Sequence, residues 1–243
     1  MQLKKHIHNI RHRLFSPDPA RNGLPVIPLP DGPPAQTKAG VDAYLQLLFA
    51  DIAAYAPAPV PSSIVTGAMR CGKTLVAQQV ALRNRLYHIP GDRLRNATHL
   101  GCDQATKLRL VKYIYKRLLL AHPTGLLLEG TIFLDNGVTL PHWATRRGVP
   151  CFAIGYALDD PARKAESMIA FRKVHDCWTS HSRSDADLHR MARQIVQHSK
   201  DIKARCAANG WSYFDLDSAA FDSERQRIVR TVEKQLRGAT IRR

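Results

Sequence analysis

No run of apolar residues in this chain approaches the roughly 20 needed to span a bilayer, so a transmembrane helix is not expected. Acidic residues are scarce, 20 Asp and Glu against 36 Lys and Arg in 243 residues, which leaves a formal net charge of +16. That imbalance excludes no polyanion: phosphate-bearing substrates, nucleic acid and acidic membrane surfaces all stay open, and charge alone does not rank them. Cysteine is sparse and unpaired in pattern. The five residues Cys71, Cys102, Cys151, Cys177 and Cys206 contain no CxxC pair, which argues against a disulfide framework or a zinc site and for a reducing, cytoplasmic setting. The opening MQLKKHIHNIRHRL lacks the apolar block of a secretion signal, and points the same way. No internal repeat is visible. Against these absences stands a hydrophobic content of 44%, enough for the core of one α/β domain with a tail.

The tail is residues 1 to 40. Lys4, Lys5, Arg11 and Arg13 precede the first acid, Asp18, and LPVIPLPDGPP is too rich in proline for a helix or a central strand. An extended basic arm is expected: a solvated tail, a contact for nucleic acid or membrane, or a transit-like segment. His6, His8 and His12 lie in it without a further ligand cluster, which does not make a metal site.

From residue 41 to 243 short apolar strands alternate with helices, the pattern of a parallel sheet with crossover helices. VDAYLQLLFADIAAY reads as a helix ended by the prolines of APAPVP, then SSIVT as a strand and LVAQQVALRNRL as a helix. LYHI, GLLLEG and VPCFAIGY are further strands, the last two with the continuous apolar character of a sheet covered on both faces. ATKLRLVKYIYKRLLLAH sets Leu108, Val111, Tyr115, Leu118 and Leu119 on one helical face. ADLHRMARQIVQHSKDIKARC carries the stripe Leu188, Met191, Ala192, Ile195, Val196, Ile202 and Cys206 up to a stop at Asn209 and Gly210. WSYFDLD is a fifth strand, and SERQRIVRTVEKQL a last helix with Ser223 and Gln226 at capping-box spacing.

Chemistry concentrates in GAMRCGKT, residues 67 to 74, where Gly67, Gly72, Lys73 and Thr74 fit the phosphate-loop spacing. Average composition produces those four positions by chance in about one chain of this length in a hundred. The setting between a strand and a helix sharpens the match. Glycines let backbone amides turn toward phosphate oxygens, Lys73 reaches the β and γ phosphates, Thr74 ligates magnesium, and the helix aims its N-terminal amides at the charge. The loop lining is Gly67, Ala68, Met69, Arg70, Cys71, Gly72, Lys73 and Thr74. Met69 and Arg70 fill places usually held by small residues, and Arg70 is expected to point outward or back over the γ-phosphate.

Two other places carry carboxylates. Asp92, nineteen residues after Lys73, and Arg95 follow the second strand, at the edge where ligands sit in a doubly wound sheet. Asp92 can accept the proton of an attacking hydroxyl, serve as a turn or cap residue, or both, while Arg95 can hold an anionic acceptor. Glu129 ends GLLLEG after three leucines; it can hold a magnesium-bound water, or be a plain strand-end residue.

GAMRCGKT, IPGDRLR, LLLEGTIFLDNG and HSKDIKARCAANGWSYFDLDS, in that order, resemble the P-loop kinases of the nucleoside and nucleotide kinase superfamily. In pattern they are similar to 5′-polynucleotide kinases, zeta-toxin-like kinases and 2-phosphoglycerate kinases. The likeness covers about residues 60 to 237, and the phosphate loop is its one sharp motif. It implies a five-stranded parallel sheet of order 2-3-1-4-5 with a lid over ATP. By the same resemblance Asp92 stands for the acceptor-activating aspartate, Arg95 for a substrate arginine and Glu129 for the strand-end acid. The lid is expected over about residues 159 to 186, supplying Arg163, Lys164, Arg172, Lys173 and Arg183; Arg172 is a candidate catalytic arginine. An ordinary solvated basic face is the other reading of that segment. Trp178 within it suits packing. The expected activity is ATP- and magnesium-dependent transfer of a phosphoryl group to a hydroxyl or phosphate acceptor, against a nucleotide-dependent nucleic-acid-binding or regulatory protein, or a kinase fold that only binds.

Overall fold

The structure, a computed structural model, describes residues 37–92, 94, 104–130, 139–174 and 183–239. Residues 1–36 of the N-terminal arm, with its three histidines, and Arg95, Cys102, Cys177 and Trp178 lie outside the described residues.

Five strands form one sheet: β1 (Ser63–Gly67), β2 (Tyr87–Pro90), β3 (Leu126–Glu129), β4 (Cys151–Gly155) and β5 (Ser212–Asp215). Their spatial order is β2-β3-β1-β4-β5, and every neighbouring pair is parallel, as expected. Each residue of β1 to β4 is buried, which is why β3 and β4 show continuous apolar character instead of alternation, while β1 and β2 also bury Ser63, Thr66 and His88. Crossover helices supply the cover: α2 (Lys73–Asn84) follows β1, α3 (Gln104–Ala121) precedes β3, and α4 (Thr139–Arg146) precedes β4. Then come α5 (Pro161–Val174) and α6 (Asp185–Asn209) before β5, and α7 (Phe221–Gly238) after a 3-10 turn at Ser218–Ala220. Helix α1 (Lys38–Tyr55) leads into β1.

The helical stripes land where the period places them. Val111, Tyr115, Leu118 and Leu119 of α3 and all seven stripe residues of α6 are buried in one continuous core with Ile64, Leu127, Leu128 and Ile154. The side chain of Leu108 is outside those described.

Boundaries differ from expectation in three places. Helix α1 begins three residues before Val41 because the Thr37 hydroxyl accepts from the Gly40 amide at 3.2 Å and caps it there. The capping box expected of Ser223 does not form. Helix α7 starts earlier, at Phe221, behind a 3-10 turn capped by Asp217, so Ser223 sits in the first turn and donates to the Ala220 carbonyl. A capping box does occur, on α6, where Ser184 and Asp187 bond each other's backbone amides. Finally, α4 has no counterpart among the expected elements, since its eight residues are too few to display a 3.6-residue period. Among the described residues no helix is long and apolar enough to cross a membrane.

Leu128 sits between Ile64 of β1 and Ile89 of β2 in the strand register, and none of the three is exposed to solvent. Leu128→Ala is expected to remove about 2–5 kcal/mol of stability. Urea unfolding should show this as a lower midpoint with an unchanged slope.

Candidate functional site

Strand β1 ends in a glycine loop whose conformation admits few alternatives. Gly67 has φ +152°, and a Cβ there would lie 2.1 Å from the Ile154 carbonyl oxygen of β4. The neighbouring Ala68 amide donates to that same oxygen at 3.0 Å, so the loop leaves the sheet tied to β4. Gly72 closes it with φ +71°, and a Cβ there would meet the Phe221 ring at 2.7 Å. Gly72 is also the N-cap of α2 and brings no side-chain acceptor to the helix. The first-turn amides and the positive end of α2 therefore face whatever anion enters the loop.

Arg70 answers the question its place in the loop raises. It has φ +59°, the left-handed conformation that glycine adopts readily and that costs another residue roughly 1–2 kcal/mol. Two contacts hold it there. The Tyr156 hydroxyl, just beyond β4, donates to the Arg70 carbonyl at 3.2 Å. The guanidinium carbon lies 5.6 Å from the ring centroid of Phe171 on α5. Beyond the expectation that it points outward or over the γ-phosphate, the side chain is seen to reach Phe171 on α5. Met69 is exposed on the loop's outer side, and Cys71 is a buried thiol whose pKa burial raises, which makes it an inert packing residue.

The carboxylates meet the loop through strand register. Val65 pairs with Glu129 across β1 and β3, and Pro90 with Glu129 across β2 and β3, so the ends of three strands stand side by side. Glu129 is 5% exposed, its carboxyl hydrogen-bonded by the Thr74 side chain. Burial pushes its pKa up to about 7, opposed by the positive charge of Lys73 and assisted by the negative charge of Asp92. Lys73, Thr74, Glu129 and Asp92 thus share one electrostatic environment. Asp92 itself is exposed at the sheet edge, in a helical turn begun by Gly91. Gly91 packs so closely that a Cβ would come within 2.3 Å of the Tyr115 hydroxyl and 2.7 Å of the Glu129 carbonyl oxygen.

The expected lid cations fall into two groups. Arg163 pairs with Asp159 at 3.1 Å and with Asp217 at 3.8 Å, and Arg172 with Asp185 and the Arg183 carbonyl. Lys173 and Arg183 are exposed. The Asp159 carboxylate is buried, so its pair with Arg163 is partly shielded, whereas the pair of Arg172 with the exposed Asp185 is of the surface kind that contributes about 0–1 kcal/mol. Lys164 behaves differently from the rest: it is 4% exposed, with its ammonium 3.6 Å from the centroid of the Tyr156 ring. Burial, and then the charge of Arg70, lowers its pKa to about 8. Tyr156, Phe171 and Phe221 contribute to the loop's surroundings without any sequence signal beyond following or belonging to an apolar element.

A hydroxyl, a carboxylate and an ammonium converging on a helix N-terminus can receive a phosphate and a hard divalent cation. No protein-family model and no curated protein matches the chain. Among solved structures, a shikimate kinase from Bacteroides thetaiotaomicron matches with a TM-score of 0.50 at 14% identity, over 72% of this chain and 99% of its own. A Chloroflexus aurantiacus protein provisionally assigned as a kinase matches at 0.46 and 17% identity, over 75% of this chain and 99% of its own. The shikimate kinase likeness shows the fold alone, a doubly wound α/β architecture around a five-stranded parallel sheet.

The burial of Glu129 sets a pH dependence in the nucleotide-free protein. Unfolded, its carboxyl titrates near 4.5; folded, near 7. Between those values the unfolded chain gives up the proton that the native chain keeps, so stability is full below the window, falls as pH rises through it, and levels above it. Glu129→Gln has no such titration. Urea unfolding at a series of pH values should therefore show a smaller decline for the variant across the window; equal slopes would contradict the assignment.

Proposed function

We propose that this chain is an ATP- and magnesium-dependent phosphotransferase that moves the γ-phosphoryl group to a hydroxyl or phosphate of an acceptor. The observation that carries it is the meeting of Lys73, Thr74 and Glu129 where β1 and β3 end, with Asp92 beside them at the edge of β2. A strand-to-helix turn that binds nothing has no need of a buried carboxylate aimed at a lysine and a threonine, because burying that charge is unfavourable.

Each residue then has a task. Backbone amides from Gly67 to Gly72 receive phosphate oxygens, and Lys73 offsets the charge that builds on the transferred group. The Thr74 hydroxyl and the Glu129 carboxylate form a hard-oxygen donor set of the kind that holds magnesium, directly or through water. Bound there, magnesium would neutralise charge on the phosphate oxygens. Asp92, exposed where an acceptor can reach it, orients the attacking hydroxyl and takes its proton as the new O–P bond forms and the bond from the γ-phosphorus to the bridging oxygen breaks, releasing ADP. Arg95 and the lid cations Arg163, Arg172, Lys173 and Arg183 would grip acceptor and phosphoryl oxygens, with Arg172 nearest in role to a catalytic arginine. The net charge of +16 favours an acceptor that already bears phosphate, including a polynucleotide end. This agrees with the polynucleotide-kinase-like, zeta-toxin-like and 2-phosphoglycerate-kinase-like sequence pattern. The buried free thiols Cys71, Cys151 and Cys206 suit a reducing cytoplasm.

Transfer from γ-labelled ATP, screened over nucleosides, nucleotides, oligonucleotides, nucleotide sugars and phosphorylated small acids, is the test. Label should move to one acceptor class with magnesium and stop on its removal. Lys73→Ala should abolish transfer while leaving the fold intact by circular dichroism. Asp92→Asn should lower kcat about 10²- to 10⁴-fold. Equal rates for wild type and Asp92→Asn would remove the aspartate from the proton-transfer role.

A further inference from the structure

We infer that Arg70 and Phe171 form a latch that couples the crown of the glycine loop to helix α5, so that filling the loop with phosphate sets the position of Arg172. The inference rests on the phosphotransferase reading for what fills the loop, and on geometry for the coupling itself.

The geometry has two independent links. The first is direct: the Arg70 guanidinium lies over the half-exposed Phe171 ring at 5.6 Å. The second runs through the backbone. The Tyr156 hydroxyl holds the Arg70 carbonyl at 3.2 Å, and the Tyr156 ring carries the buried ammonium of Lys164 at 3.6 Å. Lys164 and Phe171 are seven residues apart on α5, two helical turns, so both project from the same face. One face of α5 therefore grips the loop crown at two points, one at the side chain of Arg70 and one at its carbonyl. A glycine at residue 70 would keep the left-handed backbone and the carbonyl bond but lose the direct link.

The chemistry gives the latch a direction. Arg70 and Lys164 are two cations near enough for the charge of Arg70 to depress the pKa of Lys164, and an anion entering the loop relieves their repulsion. Arg172 directly follows Phe171, and its present partner is the carboxylate of Asp185 at the start of α6. A shift of the loop crown on phosphate binding is passed to Phe171 and reaches Arg172 within one residue. Arg70 is in this account a positioning residue, acting through α5.

A double-mutant cycle tests it with Arg70→Gly, Phe171→Ala and the combined variant. Two readouts are taken from each protein: thermal unfolding without ligand, and calorimetric binding of a non-hydrolysable ATP analogue with magnesium. Each single variant is expected to weaken binding about two- to fivefold, with the double variant no weaker than either single. Unfolding midpoints should show the same non-additivity. Additive midpoints would overturn the latch and leave the phosphotransferase reading intact. Coupled midpoints with additive binding would overturn the transmission to the phosphate site. No binding by the wild type, with coupled midpoints, would defeat the phosphotransferase reading and leave the latch as an architectural coupling alone.

Discussion

The register that sets Val65 beside Glu129, and Glu129 beside Pro90, fixes where a carboxylate meets the lysine and threonine of the glycine loop. Because the strands are parallel, their C-terminal ends gather at one edge, and each delivers its next residues there. From β1 comes the loop with Lys73 and Thr74; from β3 comes Glu129; after β2 comes Asp92. A slip of β3 by one residue would turn its side chains to the opposite faces of the sheet and withdraw the carboxylate. The core that holds this register, Ile64, Ile89, Leu127 and Leu128, is the site's foundation.

Burial makes the arrangement consequential. A carboxylate that is 5% exposed is held against its preference for water, and its proton is retained toward neutrality. Among the described residues, the charge of Lys73 and the Thr74 hydrogen bond oppose that penalty. The same low exposure keeps Lys164 close to Tyr156, and through Tyr156 close to the backbone of Arg70. One of the links between loop and helix thus runs through Lys164 and Tyr156, groups largely hidden from solvent, where electrostatic forces are less screened.

Much of the fold is legible in the sequence because the sheet is covered on both faces. Strands such as LLLE and CFAIG, buried at every position, stand out as unbroken apolar runs, and the long stripe of α6 displays its period over many turns. The positions of the loop, Glu129 and Asp92 are legible through spacing, since each ends or follows a strand whose place in the sheet is inferable. Other features are not. Helix α4 is too short to show a period. The start of α7 was decided by Asp217 capping a preceding 3-10 turn, a local competition that the spacing of Ser223 and Gln226 does not reveal. Among the lid cations, the burial of Lys164 and its seat over Tyr156 depend on long-range packing. Arg70 is the clearest case: the sequence marks it as out of place, and only the placement of Phe171 and Tyr156 shows what keeps it there.

The central claim is that the loop from Gly67 to Thr74, with Glu129, is a nucleotide phosphate and metal site. Isothermal titration of the wild-type chain with ATP, with and without magnesium, addresses it most directly. The account predicts one molecule of ATP bound per chain, tighter with magnesium, and loss of that magnesium dependence in Glu129→Gln. Absence of ATP binding in the presence of magnesium by the folded wild-type protein would contradict it.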